Sequence, residues 1–329
     1  MAAIALTVVV AAPSSATASA GGIGLRLLDA PVAAPTDPRA LLYIVDHLAI
    51  GTKIQRRIEI SNTTASVAHV VLYPSAATIE DGAFLGSAGH TPNDLSTWTS
   101  IRPGAVDVAS GGLATALVTI DVPRDAASGE RYGVVWAETR SRPTSAEGVT
   151  QANRVGIRLY VSVGPGGAPA ADFAIDSLTA KRSPSGRPVI MATVHNTGGR
   201  ALDINGTLTL LDGPGGLSAG PFPATLGTTL GIGDWEYVKV LLDEGLPAGP
   251  WDARIELGSG LLRRSARATL TFPAAGAAPP VSTEPEQRTL FVVVGGLIAA
   301  LLLGVAGTCV AIGRRRRRMS NRSIEPALS

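Results

Sequence analysis

One short motif in the chain could support nucleophilic catalysis. Residues 216–220 read G-x-S-x-G, which puts Ser218 in the position of a hydrolase nucleophile. That chemistry needs a strand before the serine, a helix after it, and a histidine later in the chain as general base. Prolines flank the motif at Pro214 and Pro221, and the last histidine is His195. The sequence therefore predicts a Gly/Pro loop here and argues against a serine hydrolase.

The residues that usually bind metal ions or transfer protons are dispersed. The four histidines are His47, His69, His90 and His195, and none of them forms an H-x-x-x-H pair with another. Carboxylates are scattered, and aromatic residues make up only 4% of the chain, which is low for a carbohydrate-cleaving groove. A glycosidase-like carboxylate pair assembled by the fold stays open as an alternative. We expect no metal, no cofactor and no enzymatic activity.

Alternation of apolar and polar residues predicts β-strands through most of the chain. Residues 54–60, 116–122 and 157–163 alternate with period two, while 67–73 and 132–137 are more continuously apolar. Period two places one face of a strand inward and the other outward. Several such strands, separated by Gly, Pro, Asn and Asp, are typical of an antiparallel β-sandwich.

A Gly/Pro-rich linker, residues 165–171, divides this region, because such a composition cannot continue a strand. Residues 21–164 are predicted to form an N-terminal β-sandwich and residues 172–273 a second, immunoglobulin-like one. Residues 274–289 are rich in Pro and Ala and predict a stalk. The second sandwich is predicted to contain strands at 189–195, 206–211, 235–242, 251–257 and 266–272.

Both halves contain an Asn-Thr pair directly after a predicted strand, at Asn62 and at Asn196. The shared position suggests a duplicated sandwich, and an ordinary turn is the alternative explanation.

An uncharged run of 23 residues, 290–312, is long enough to cross a bilayer core of ~30 Å as a helix. By the positive-inside rule, the arginines that follow place this end in the cytoplasm. These topogenic residues are Arg314, Arg315, Arg316, Arg317 and Arg318. The complete expectation is an all-β ectodomain of two tandem immunoglobulin-like β-sandwiches followed by a single transmembrane α-helix. Residues 313–329 would form a basic cytoplasmic tail, and the chain would be a single-pass type I cell-membrane protein.

Residues 1–20 resemble a secretory signal peptide, with a small, apolar start and two A-x-A cleavage candidates. The only cysteine, Cys309, lies in the predicted span, so the ectodomain contains no cysteine for a disulfide. An exported domain without disulfides is typical of a bacterial envelope, and the Ala, Gly and Arg richness suggests an actinobacterium.

The charge of the exported part argues against nucleic-acid binding. The whole chain has 28 basic and 26 acidic residues, and the segment after Ile312 holds six Arg and one Glu. The remaining chain therefore has 22 basic and 25 acidic residues. Its mildly acidic balance offers no electrostatic attraction for a phosphate backbone.

The segment 80–102 is the candidate binding region. It reads as an unusually long connection for a sandwich, and long loops on rigid sheets are often functional. The candidate contact residues are Phe84, His90, Trp98 and Arg102. Folding of Phe84 and Trp98 back over the core is the competing interpretation.

Several short motifs of the first half follow one another in an order that resembles a known family. They are Leu-Asp-Ala-Pro at 28–31, Tyr-Ile-Val-Asp at 43–46, the strand and turn at 57–64, Val-Pro at 122–123, Gly129, and Tyr-Gly at 132–133. Residues 24–163 thereby resemble the N-terminal domain of WxL-interacting proteins, which implies a peptidoglycan-binding sandwich. Residues 172–272 do not match the usual second domain of that family. The strand-then-Asn turn also resembles pilus chaperones.

We therefore expect non-catalytic binding of peptidoglycan, another cell-wall polymer or a surface protein, with the bilayer contacted through one helix. The alternative is an assembly factor that binds a surface protein by adding a strand at a sheet edge. For that alternative, residues 114–122 are the best edge candidate.

Overall fold

The computed structural model describes residues 21–31, 36–140, 151–224 and 228–285. The described residues up to Glu284 belong to one compact unit. Its first half contains ten strands within the described ranges. They are β1 (Ile23–Leu27), β2 (Ile44–Leu48), β3 (Lys53–Asn62), β4 (Ala68–Glu80), β5 (Ala83–Gly86), β6 (Thr99–Arg102), β7 (Ala105–Val108), β8 (Leu113–Asp121), β9 (Gly129–Arg140) and β10 (Ala152–Val163). Two short helices, α1 (Pro38–Leu42) and α2 (Asp94–Trp98), interrupt them.

The ten strands form a two-layered sandwich. One sheet has the order β1-β3-β8-β6, and the other has the order β2-β10-β9-β4-β5, with β7 also pairing with β4. The pairings are antiparallel except that of β2 with β10, which is parallel. The period-two residues meet between the layers, where Ile58, Ile120 and Leu159 are fully buried.

The second half repeats this plan. Its strands are β11 (Phe173–Arg182), β12 (Pro188–Asn196), β13 (Leu202–Leu211), β14 (Ala219–Pro223), β15 (Thr228–Leu230), β16 (Trp235–Leu241), β17 (Trp251–Ser259), β18 (Leu262–Leu270), β19 (Gly276–Ala277), β20 (Val281–Ser282) and β21 (Glu284–Pro285), with a 3₁₀ turn at Pro214–Gly216. One sheet has the order β16-β12-β11-β19, with β20 on β11; the other contains β14-β13-β17-β18, with β15 on β13. Trp251 is the largest fully buried side chain of this second core.

The all-β prediction is therefore confirmed, and each strand predicted from the sequence overlaps an observed one. The predicted membrane span is not part of these strands. Among the described residues, none of the helices is long and apolar enough to cross a membrane. The predicted signal peptide, the span 290–312 with Cys309, and the tail with Arg314 to Arg318 lie outside the described residues.

The segment 80–102 is not the long loop that the sequence suggested. It contains β5, α2 and β6. A capping box starts α2: the Asn93 side chain accepts the backbone N–H of Ser96 at 2.9 Å, and the Ser96 hydroxyl accepts that of Asn93 at 2.7 Å. Leu95 then enters the first core, fully buried. The capping box and the burial of Leu95 stabilise this helix. Sequence periodicity did not predict it, because the helix is only five residues long.

Residues 114–122 form the expected free edge only in part. Strand β8 pairs with β3 along its whole length and with β6 from Leu117 to Ile120. Since both sides of these central residues are hydrogen-bonded, a partner strand cannot pair with them.

The beginning of the predicted stalk belongs to the second sandwich. Ala277 and Val281 pair with Lys181 and Leu178 of β11, respectively. The backbone N–H of Ala278 donates to the carbonyl of Ala180 at 2.9 Å. Residues 276–282 therefore extend a sheet, because the edge of β11 offers them backbone partners.

The two Asn-Thr pairs occupy equivalent positions. Asn62 ends β3 and Asn196 ends β12, and both side chains are buried. Each amide group donates to the carbonyl four residues on, that of Ser66 at 2.8 Å or Arg200 at 2.9 Å. Each side-chain oxygen accepts the backbone N–H two residues on. This shared geometry favours duplication over two unrelated turns.

Candidate functional site

One half of strand β10 has a free edge. Strand β9 covers one side of β10 along its whole length, but β2 covers the other side only from Leu159 to Val163. In the part of the chain that the structure describes, no strand pairs with the second side of residues 152–158. An unpaired strand edge is a template for another chain.

The backbone groups on this edge can be identified from the neighbouring pairing. The N–H of Gly164 donates to the carbonyl of Leu48 at 3.1 Å, so the even-numbered residues of β10 face the β2 side. Backbone groups of successive residues alternate between the two edges, and the register of β10 on β9 is unbroken. Arg154 and Gly156 therefore direct their N–H and C=O groups toward the free edge, as does Ala152.

A groove lies beside this edge. Strand β1, the edge of the opposite sheet, runs next to β10, and a cavity of ≈ 340 Å³ lies where Ile23 of β1 meets residues 153–155 of β10 and Thr139 of β9. Its walls include Ile23 and Val155, two half-buried apolar side chains that also pack against the first core. An added strand with alternating residues would place its apolar side chains here and its polar ones outward.

Strand β9 braces the free half of β10 from its outer face. The indole N–H of Trp136 donates to the carbonyl of Ser87 at 2.8 Å, and the guanidinium of Arg154 lies 5.6 Å from the ring centroid of Trp136. A Cβ on Gly156 would be only 2.7 Å from that ring. Glycine is required at this point because the indole lies directly over the backbone.

Glu138 joins this brace. The Tyr73 hydroxyl donates to its carboxylate at 2.5 Å and Arg140 donates at 2.7 Å, while Arg154 lies 3.8 Å away. The carboxylate is almost completely buried. The hydrogen bonds from Tyr73 and Arg140 hold the pKa of Glu138 below its usual value of 4.5.

We expect the stability contribution of Glu138 to depend on pH. A lowered pKa in the folded state stabilises the protein above the unfolded value near 4.5, and this contribution is lost as the pH falls through the folded pKa. The Glu138→Gln variant should therefore unfold at a lower temperature than the wild type at pH 7, and the difference should shrink toward pH 3. Thermal unfolding of both proteins from pH 3 to 7 measures it; a constant difference would contradict the assignment.

A polar cluster joins the two sandwiches, with Asp203 at its centre. One carboxylate oxygen accepts from Arg39 at 2.7 Å. The other accepts from Arg158 at 2.9 Å, from the Tyr160 hydroxyl at 2.9 Å and from the Thr229 hydroxyl at 3.0 Å. Three of the four donors belong to the first half of the chain, so this acidic side chain of the second sandwich holds the junction.

Aromatic rings surround these charges. The guanidinium of Arg39 lies 4.1 Å from the centroid of Tyr160, a cation–π distance. Glu130 also bridges the halves, because its carboxylate accepts from the Ala201 N–H at 2.7 Å and from the Tyr132 hydroxyl at 2.8 Å. Burial raises the pKa of Glu130 despite these bonds.

Two of the four predicted contact residues pack against the protein itself. Phe84 lies in the junction, with its ring centroid 5.1 Å from that of Tyr160 and Arg158 4.9 Å above it. Trp98 packs against the first core, and Arg131 lies 5.0 Å from its ring. These positions agree with the competing interpretation that both residues cover apolar surface.

The other two predicted residues are exposed at separate positions. His90 lies 4.3 Å from the ring of Tyr73, and Arg102 ends β6 just before Pro103. The structure thus gives each of the four residues a different environment, and their role in binding stays a prediction. The residues of the free edge were missed because the alternation of β10 was recognised only from residue 157 onward.

The serine and histidine residues that could support catalysis or metal binding do not form a common site. Ser218 is exposed and is followed by the strand β14 rather than by a helix, contrary to the requirement of a nucleophile elbow. Three histidines have ordinary partners: His47 contacts Ser162, His69 contacts Asp107, and His195 stacks on Trp235. Within the described ranges, no three His, Cys, Asp or Glu side chains form a metal-binding group.

Comparison with known proteins does not assign this chain to a family. No protein-family model matches the chain, and no curated protein matches it. Among solved structures, the E. coli chaperone DraB is 9% identical, with 81% of this chain and 100% of that one covered and a TM-score of 0.38. The CupB2 chaperone of Pseudomonas aeruginosa is 11% identical, with 70% and 98% covered and a TM-score of 0.37. A structure of the Salmonella enterica SafA pilin with the SafB chaperone gives 10% identity, 81% and 97% coverage and a TM-score of 0.38. At these values none of the neighbours assigns this chain a function.

Proposed function

We propose that this chain is a non-catalytic binding protein that takes up an extended segment of a partner protein at the free edge of β10. The observation that carries the proposal is the half-covered strand: β2 pairs with only five residues of β10, and no strand among the described residues pairs with the second side of residues 152–158. The incoming segment would pair with Ala152, Arg154 and Gly156. Backbone pairing of this kind supplies affinity, and pockets for alternate side chains supply specificity.

Two further features support the proposal. The groove between β1 and β10 offers apolar walls, including Ile23 and Val155, to the inward side chains of the segment. On the opposite side, Arg154 in the free half of β10 contacts both residues of the brace, with its guanidinium 5.6 Å from the Trp136 ring centroid and 3.8 Å from the Glu138 carboxylate. A rigid edge loses little conformational entropy when a partner binds, and this favours affinity.

Membership of the WxL-interacting family, anchoring by one membrane span, and peptidoglycan binding by the first sandwich stay predictions from the sequence. Sedimentation of the purified full chain with insoluble peptidoglycan tests the last of these. Recovery of the protein in the supernatant at low salt would contradict it.

Replacing Arg154 with proline tests the strand addition. Proline removes the outward N–H and is tolerated at a strand edge, so the sandwich should still fold. Peptides selected from a phage-displayed library against the full chain serve as the probe. We expect Arg154→Pro to bind them roughly tenfold more weakly or worse, because a hydrogen bond is lost and the ring obstructs pairing.

The matched control is Arg154→Ala, which loses the same side chain and its contacts with Trp136 and Glu138 but keeps the N–H, and it should therefore bind more tightly than Arg154→Pro. Amide hydrogen exchange provides a second measurement, and bound peptide should slow exchange at Arg154 and Gly156. If the peptides bind Arg154→Pro as tightly as Arg154→Ala, or protect amides elsewhere, the proposal is wrong.

A further inference from the structure

The second sandwich presents an aromatic row on the outer face of one sheet. Strand β16 turns Val238 and Val240 into the core, and the alternate residues Trp235, Tyr237 and Lys239 therefore face outward. Trp235 is 57% exposed and Tyr237 is 62% exposed. Residues two apart on a strand are about 7 Å apart, so the two rings and the lysine form one line.

Trp235 is held in place by its neighbour on β12. His195 pairs with it across the sheet, and the two rings stack with centroids 3.8 Å apart and planes 7° apart. The imidazole covers one side of the indole, and more than half of the Trp235 surface is still accessible to solvent. The aromatic row is thus ordered before any ligand arrives.

Hydroxyl groups line the same face beside the rings. Thr193 pairs with Tyr237 across β12 and β16, and the Ser177 hydroxyl donates to that of Thr193 at 3.1 Å. Apolar ring faces next to hydroxyl groups match a sugar, whose pyranose ring has an apolar C–H face and a polar rim.

The charges around the row are unevenly distributed. Lys239 lies at one end, and Lys181 of β11 faces the same side two strands away. At the other end, Asp234 directly precedes Trp235, while Glu236 points to the opposite face of β16, toward Gly82 and Asp81 of the first sandwich. An acidic group on a ligand would therefore be attracted to the Lys239 end and repelled from the Trp235 end.

We propose that this face binds an acidic glycan, with sugar rings on Trp235 and Tyr237 and a carboxylate or phosphate group at Lys239. The small apolar area favours a glycan over a protein partner or a second copy of the chain. A stable protein interface needs roughly 800 Å² on each side. Trp235, Tyr237 and Leu241, which is 40% exposed on the same face of β16, together offer only about 300 to 400 Å². The proposal is independent of strand addition at β10.

Sedimentation of the full chain with three probes tests this inference. The probes are insoluble peptidoglycan that carries its phosphate polymer, the same material after the polymer has been removed with hydrofluoric acid, and immobilised polyglutamate as a polyanion without sugar. We expect sedimentation with peptidoglycan and none with polyglutamate. Loss of binding after acid treatment would identify a phosphate glycan, and retained binding would identify a carboxylate glycan.

Variants separate the rings from the charge. Trp235→Ala and Tyr237→Ala should each weaken binding about tenfold, whereas Trp235→Phe and Tyr237→Phe, which keep a ring, should bind nearly as well as the wild type. Lys239→Ala should weaken binding and Lys53→Ala, on the first sandwich, should not. Arg154→Pro should leave glycan binding unchanged. The inference is overturned if the chain sediments with neither peptidoglycan preparation, or if it binds polyglutamate as well as peptidoglycan. It is also overturned if the alanine variants of Trp235, Tyr237 and Lys239 bind peptidoglycan like the wild type.

Discussion

Replacement of Asp203 by alanine is expected to lower the free energy of unfolding by about 3–5 kcal/mol. The Asp203 carboxylate is mostly buried and accepts hydrogen bonds from Arg39, Arg158, Tyr160 and Thr229. Without it, two guanidinium groups stay in the junction with no counter-charge at this point. The cost comes chiefly from those unpaired buried charges, because removing one partner of a buried ion pair leaves the desolvation of the other uncompensated.

Urea or thermal unfolding of the variant measures this effect. Asp121→Ala is the matched control, since it makes the same charge change at an exposed ion pair with Lys53. Exposed pairs contribute about 1 kcal/mol or less. If Asp203→Ala loses no more stability than Asp121→Ala, then Asp203 does not hold the junction.

The junction and the free edge are connected through Arg158. This residue lies where the free half of β10 meets the half covered by β2, and its guanidinium bonds to Asp203. Asp203→Ala should therefore also speed hydrogen exchange in β10 near Arg158. An unchanged exchange rate there would separate the junction from the binding edge.

Replacement of Asn196 by alanine should cost about 3 kcal/mol. The Asn196 amide donates to the carbonyls of Arg200 at 2.9 Å and Leu230 at 3.2 Å. Its oxygen accepts the N–H of Gly198 at 2.9 Å. Alanine leaves these buried or half-buried backbone groups without that partner, and each unsatisfied group costs about 1–3 kcal/mol. Water molecules that enter the site and bond to these groups offset part of this cost.

The control for this variant is Asn205→Ala, which makes the same substitution at an exposed position of the second sandwich. It should change stability by less than about 0.5 kcal/mol. Asn62→Ala should cost at least as much as Asn196→Ala, because Asn62 makes the equivalent bonds in the first sandwich and also accepts from the Thr64 hydroxyl. A loss similar to that of Asn205→Ala would show that the buried amide bonds do not stabilise the fold.

The sequence by itself determined the all-β class and the approximate positions of ten strands. It also located the Gly/Pro-rich segment 165–171, which lies between β10 and β11. These features follow from local patterns. Period-two alternation reports directly which face of a strand is buried, as for Ile58 and Ile60 on β3. Gly and Pro interrupt strands whatever lies around them. The Asn-Thr pairs are also local, although only the structure showed that both amides are buried and bonded in the same way.

Tertiary structure alone decided which edge is free and what joins the two sandwiches. Residues 114–122 were expected to form an edge strand, but edge status depends on which strands pair on either side. Strand β6 covers the second side of this segment from Leu117 to Ile120. The free half of β10 exists because β2 reaches only as far as Leu159. The hydrogen-bond donors to Asp203 come from positions 39, 158, 160 and 229. These positions are distant in sequence, and none of them belongs to a recognisable sequence motif. Periodicity predicts which face of its own strand a residue occupies. The pairing of strands and the burial of charges depend on segments that only the complete fold brings together.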